Sequence, residues 1–193
     1  MTVTDTIKYI GVNDHDIDLF EGQYIVPNGM SYNSYVILDE KIAIMDTVDV
    51  RFSRTWLENI KDVLGERAPD YLIVQHMEPD HSSLISYMLE KYPDMMIVAN
   101  SKTVPMLKGY YDVPEDKVHV VAEGGELSLG GCSLKFYMVP MVHWPETMVT
   151  WLEEENTVFS GDAFGTFGAV PGSIVDEEGT LMEFKDEMIR YYS

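Results

Sequence analysis

One cysteine, Cys132, stands among 193 residues. An internal disulfide is excluded, and so is a zinc or iron–sulfur site built from several cysteines of one chain. Cys132 lies in an apolar stretch that reads as a strand, which makes it a small buried thiol rather than a nucleophile. Basic residues are scarce as well. Lys and Arg number 13 against 33 Asp and Glu, a formal net charge of -20. Nucleic acid and anionic membrane surfaces both need a basic face, so neither is an expected partner. The excess acid reads as a solubilising surface, with some carboxylates available as metal ligands. Long apolar runs are missing, so no membrane span is expected. Residues 1–10 have neither the basic start nor the apolar middle of a secretory signal. A reducing, cytoplasmic setting follows as the expectation.

What is present is an ordinary apolar share, 46%, enough to build one globular domain over residues 1–193. The first part reads as strands: 7–12, YIVP at 24–27, YNSYVIL at 32–38 and KIAIMDT at 41–47. The last two are joined so closely that they predict a hairpin. Phe52, Trp56, Ile60 and Val63 then recur at helical spacing, with Gly65 as the stop. From there strands and helices alternate. YLIV, MMIVA and KVHVVA read as strands, while HSSLISYMLEKY and SKTVPMLKGYY read as helices, the second capped by Ser101. GGELSLGG reads as a turn-rich bend. SLKFYMVP and MVTWLEEENTVFSGD read as strands, the second broken at 153–156, and LMEFKDEMIRYY reads as a closing helix. Strands first and alternation second predict an α/β (α+β) sandwich with helices outside.

The stretch His76-Met77-Glu78-Pro79-Asp80-His81 follows the apolar YLIV run. On extended chain, positions i and i+2 share a face, so His76 and Glu78 converge. Pro79 turns the chain, and Asp80 and His81 can face a second point nearby. Packing gives no reason to gather these groups behind an apolar strand, because buried charges are costly unless paired or metal-bound. Two further ligand candidates stand at strand ends: His143 in PMVHWPETM and Asp162 in FSGDAFG. A carboxylate with two oxygens can bridge two cations roughly 3.5–4 Å apart. Gly161 and Gly165 leave room beside Asp162. Asp46 and Thr47, at a strand end, are candidates to hydrogen-bond the ligating histidines. Ser82 and Ser83 read as helix caps, and His15 and His119 as ordinary histidines. Trp144 and Phe164 flank two ligands and are candidates to line a cavity or face a flavin.

With GMSYNSYVI, KIAIMDTV, HMEPDHSS, VHWPETM and SGDAFG, the chain resembles the metallo-β-lactamase-like domain of the flavodiiron proteins, or A-type flavoproteins. The decisive motif is His-x-Glu-x-Asp-His, where the hydrolases of that fold carry His-x-His-x-Asp-His. The resemblance implies an αββα sandwich with a non-haem di-iron site. It assigns His76, Glu78 and His143 to one iron, Asp80 and His81 to the other, and Asp162 to both. It implies reduction of O2 to water or NO to N2O. Electrons would come from FMN on a flavodoxin domain of a partner subunit in a homodimer, and from rubredoxin or a similar donor. The family's second iron also takes a histidine from a later Ser-His-Gly turn, which has no counterpart after His143. The expectation is therefore a sandwich incomplete at its C-terminus. Two alternatives stand beside this reading: a zinc-dependent hydrolase, since zinc accepts the same ligands, and a truncated, non-catalytic subunit.

Overall fold

A computed structural model describes residues 1–170 and 180–193. The main sheet has six strands. In chain order they are β1 (Ile7–Tyr9), β6 (Tyr35–Ile37), β7 (Ala43–Met45), β8 (Tyr71–Ile73), β9 (Met96–Asn100) and β10 (Val118–Val121). Between β1 and β6 lie two small ribbons, β2 (Val12–Asp14) with β5 (Met30–Tyr32), and β3 (Leu19–Phe20) with β4 (Tyr24–Ile25). The predicted hairpin is present: β6 and β7 pair antiparallel with Ile37 opposite Ala43. From β7 onward the main sheet is parallel. Parallel neighbours need crossovers, and these are helical. They are α1 (Ser53–Leu64), the pair α2 (Pro79–Ser82) and α3 (Ile85–Lys91), and α4 (Thr103–Tyr111).

Right-handed crossovers place these helices on one face of the sheet. Alternation along each strand then divides the core. Ile44, Leu72 and Ile97 pack with Trp56, Ile60, Met88 and Leu107 of the helices. Ala43, Met45, Ile73 and Val98 point the other way and pack with Leu134, Phe136, Met148 and Leu152 of a second sheet. That second sheet is antiparallel, in the order β11 (Glu126–Ser128), β12 (Ser133–Met138), β13 (Met148–Leu152), β14 (Thr157–Phe159). Among the described residues this makes a helix layer and two sheets, three of the four layers expected. The closing segment is not one helix. It is α5 (Thr180–Glu183) and α6 (Lys185–Tyr191), broken at Phe184.

Three local expectations need correction. GGELSLGG is not only a bend: β11 lies within it, with Leu127 opposite Leu134. Leu127 and Leu129 alternate with polar neighbours and bury, a strand signal that the flanking glycines obscured. Ser101 does not cap α4. Asn100 does so from one residue earlier, its Oδ1 accepting the N–H groups of Lys102 and Thr103. The predicted helix over 81–92 is split between α2 and α3, because the N–H of Leu84 turns to Thr47 Oγ1.

Cys132 is buried and free, in the turn before β12. Burial, with the Asp39 carboxylate close by, pushes its thiol up to about 12. An alkylating reagent at pH 8 is expected to leave the folded chain unlabelled and to label it fully in denaturant. Rapid labelling of native protein would contradict that burial.

Candidate metal centre

Beyond β8 the backbone stays extended. The Val74 N–H still bonds the Val98 carbonyl at 2.9 Å, and Glu78 has φ -60 and ψ 146. Side chains two apart therefore share a side, and His76 Nε2 meets Glu78 Oε2 at 3.1 Å. Pro79 opens α2 at its first turn, where a missing N–H costs nothing. That single turn swings Asp80 and His81 into the same cleft. His143 arrives on the loop between β12 and β13, and Asp162 in the turn after β14. All of this lies at the carboxyl ends of β7, β8 and β9, where open parallel sheets place their ligand crevices.

His76, Glu78, His143 and Asp162 each offer one ligand atom within 4.8 Å of the others. Glu78 Oε2 lies 2.9 Å from His143 Nε2. Asp162 divides its two oxygens. Oδ2 faces His143 Nε2 at 3.4 Å and His76 Nε2 at 3.6 Å, while Oδ1 faces His81 Nε2 at 2.7 Å. Asp80 Oδ2 stands 3.7 Å from the same His81 nitrogen. The six predicted residues thus form one cluster with Asp162 in the middle.

Two of the three imidazoles are fixed from behind. His76 Nδ1 faces Glu146 Oε1 at 2.9 Å, and His81 Nδ1 faces Asp46 Oδ2 at 3.1 Å. A carboxylate only accepts, so Nδ1 carries the proton in both rings, and the lone pair of a neutral ring lies at Nε2. Asp46 sits at φ 52, a left-handed conformation that Asp tolerates, and its Oδ1 also accepts the Gln75 N–H at 2.8 Å. The expectation for Asp46 and Thr47 holds in geometry, since Thr47 donates its hydroxyl to the His81 carbonyl at 3.0 Å.

The electrostatics of the metal-free cluster are tense. Burial would raise the Asp162 carboxyl, but His81 charge and hydrogen bonds from His143 and His81 hold it far below the usual carboxylate range. Burial would lower His81, yet Asp162 and Asp80 keep it well above its ordinary value. Hydrogen bonds to Asp162 and Glu78 push His143 up to about 10. Burial pushes Asp80 up to about 7, with His81 opposing and Asp162 and Glu78 adding. Glu78 Oε1 and Asp80 Oδ1 are buried and have no hydrogen-bond partner among the described residues.

These features fit a bound cation. His76 and His81 each face carboxylates with both nitrogens, and their ring centroids are only 5.2 Å apart. A divalent ion on the Nε2 side of each ring would offset the gathered carboxylate charge and would give the partnerless oxygens a cation to face. Mixed imidazole and carboxylate donors suit iron and zinc alike.

The structure also reassigns several neighbours. Ser82 and Ser83 do not cap α3. Their hydroxyls donate back to carbonyls, Ser82 to Met77 and Glu78, Ser83 to Pro79. Gly165 makes room for the Tyr191 ring, which a Cβ there would meet at 2.9 Å, while Gly161 adopts φ 54 in the turn. Phe164 is 82% exposed and lines a cleft of ≈ 700 Å³ onto which Glu78, Asp80, His81, His143 and Asp162 open, with His76 buried behind them. Trp144 is not among the cleft's lining residues; it packs edge-on against His76 with centroids 5.2 Å apart. His15 and His119 are exposed and away from the cluster. Glu146 went unnoticed in the sequence. Its one signal was an acid just before the apolar run of β13.

A two-sheet sandwich with imidazoles and carboxylates gathered at strand carboxyl ends defines a metallo-β-lactamase-like protein. The model of the ODP family of β-lactamases matches residues 30–189, and the chain belongs to that family. The anaerobic nitric oxide reductase flavorubredoxin of Vibrio vulnificus is 33% identical over 193 residues, covering 99% of this chain and 39% of the relative. The rubredoxin oxygen:oxidoreductase of Desulfovibrio gigas superposes with a TM-score of 0.93 at 29% identity, over 100% of this chain and 48% of that one. The flavodiiron protein of Giardia intestinalis gives 0.92 at 28% identity, over 99% and 46%. The chain thus spans less than half the length of these relatives and corresponds to their metallo-β-lactamase-like part.

Proposed function

We propose that residues 1–193 form the metal domain of a flavodiiron-type oxidoreductase that reduces O2, NO or both. The observation that carries this is the split of Asp162, one oxygen turned to His76 and His143 and the other to His81. Such a carboxylate serves two ions at once. His76, Glu78 and His143 would hold one iron, Asp80 and His81 the other, and Asp162 both. Bound iron would supply one-electron chemistry toward the oxidant. The chain's own residues hold the ions close together and fix the histidine tautomers. Tyr35, Phe159, Phe164 and Tyr191 wall the cleft where a diatomic substrate would enter. The relatives' names, flavorubredoxin, flavodiiron protein and rubredoxin oxygen:oxidoreductase, support a flavin and a rubredoxin-like donor; FMN on a flavodoxin domain of a partner subunit in a homodimer completes the proposal. The setting is cytoplasmic, consistent with one buried thiol; among the described residues no helix is long and apolar enough to cross a membrane.

The test is metal content of protein purified anaerobically, followed by stopped-flow mixing of the ferrous form with NO or O2. The expected result is close to two irons per chain, and oxidation or nitrosylation on mixing. Removing the metal with a chelator is expected to lower the melting temperature, since an ion at 100 times its Kd stabilises by about 2.7 kcal/mol. Zinc retained after iron reconstitution, with hydrolysis of a thioester or phosphodiester, would instead establish the hydrolase reading.

A further inference from the structure

Glu146 follows His143 by three residues but does not point at the cluster. Its side chain is wholly buried behind it. Oε1 accepts two bonds, from His76 Nδ1 at 2.9 Å and from the Met77 N–H at 3.0 Å. Oε2 is buried with no partner among the described residues. The backbone of Glu146 is itself held, because Asn100 Nδ2 donates to its carbonyl while Asn100 Oδ1 caps α4. The carboxylate is therefore anchored to β9 and α4 on one side and to the strand-end chain of His76 on the other.

The two histidines of this half differ in how they are held. His76 is fully buried, with Glu146 on Nδ1 and Trp144 packed edge-on. The His143 side chain is 50% exposed, and among the described residues nothing hydrogen-bonds its Nδ1. Ring orientation in this half therefore rests on His76, and that of His76 rests on Glu146, 2.9 Å from Nδ1 against 3.5 Å for the Thr147 hydroxyl. We propose that Glu146 is a positioning residue. It fixes the tautomer and plane of His76, keeps Nε2 aimed between Glu78 and Asp162, and so sets how tightly the His76, Glu78 and His143 half retains its metal. Asp46 stands in the same relation to His81, so each half has its own carboxylate behind a histidine.

This inference rests on the metal reading above, and the experiment separates the two. Wild-type, Glu146→Gln and Glu146→Ala chains are loaded anaerobically with ferrous iron-57. Iron per chain, the rate of iron release to a ferrous chelator, the Mössbauer doublets and the melting of the metal-free proteins are then measured. Outer partners of metal-bound histidines typically govern affinity by about 10–100-fold. Glu146→Ala is expected to release one of its irons faster by about that factor and to alter one doublet only. Glu146→Gln keeps an acceptor for His76 and is expected to lie between the two. Metal-free Glu146→Gln should melt nearer the wild type than Glu146→Ala does. Unchanged release and doublets in both variants would overturn the positioning role. So would equal loss of both irons in step with a fall in metal-free melting, which marks a purely structural residue. Zinc in place of iron in the wild type would sink the di-iron reading alone, and the ratio of zinc release rates would still decide the role of Glu146. A wild type that holds neither metal overturns both.

Discussion

Asp162→Ala is expected to empty both halves of the centre. Oδ2 serves the His76 and His143 side and Oδ1 the His81 side, so one deletion removes a ligand from each. Metal sites with about four ligands are worth about 10–16 kcal/mol in total, so one ligand accounts for ~3 kcal/mol, or roughly 100-fold in affinity. The loss is counted twice here. It is compounded because the bridging charge no longer offsets repulsion between two cations. Asp162→Asn is the control, since the amide keeps the shape and one neutral oxygen. That variant is expected to retain at most the His76, Glu78 and His143 metal. Metal analysis after dialysis against a weak chelator reads both outcomes. An Asp162→Ala chain that kept either ion at wild-type affinity would remove the shared-carboxylate assignment.

His81→Ala should do half of this. His81 supplies the ring nitrogen of the second half, and Asp80 and Asp162 are its carboxylates. Without the ring, Asp80 remains buried beside Asp162 and Glu78 and loses the His81 charge that opposed them. The second ion is expected to go, while the first stays with His76, Glu78 and His143. The change also strips Asp46 of its imidazole, although the Gln75 N–H remains on Asp46 Oδ1. Removing one partner of a buried pair costs about 3–5 kcal/mol, so the metal-free variant should melt well below the wild type. His81→Gln returns a polar group to the site and is expected to recover part of that stability without recovering the metal. Loss of neither metal, or of both together, would refute the division into halves.

The six clustered residues were legible because they are packed into short motifs with a physical logic. Alternation on extended chain joins His76 to Glu78, and a proline turn delivers Asp80 and His81. His143 and Asp162 were legible as strand-end polar groups and through resemblance. Glu146 was not. It comes within three residues of His143, but its partner His76 lies 70 residues away. No local periodicity encodes that contact, which exists only because β13 is paired into the second sheet and Asn100 reaches across from the first. Ser82 and Ser83 failed for a related reason. Locally each is a fair cap, but Thr47, distant in sequence, takes the Leu84 N–H and frees the serines to bond backward.

Burial pattern and turn chemistry along the chain determined most element types, the β6–β7 hairpin, the strand–helix alternation and the His76–His81 part of the metal cluster, since each depends on residues a few positions apart. Tertiary structure alone decided that Asp162 turns one oxygen to each side, that Asp46 and Glu146 lock different histidines, and that Trp144 packs edge-on behind the site rather than lining it. Those outcomes depend on the distance and rotation between two packed sheets. A chain of 3.8 Å steps does not specify such long-range geometry until its core has closed.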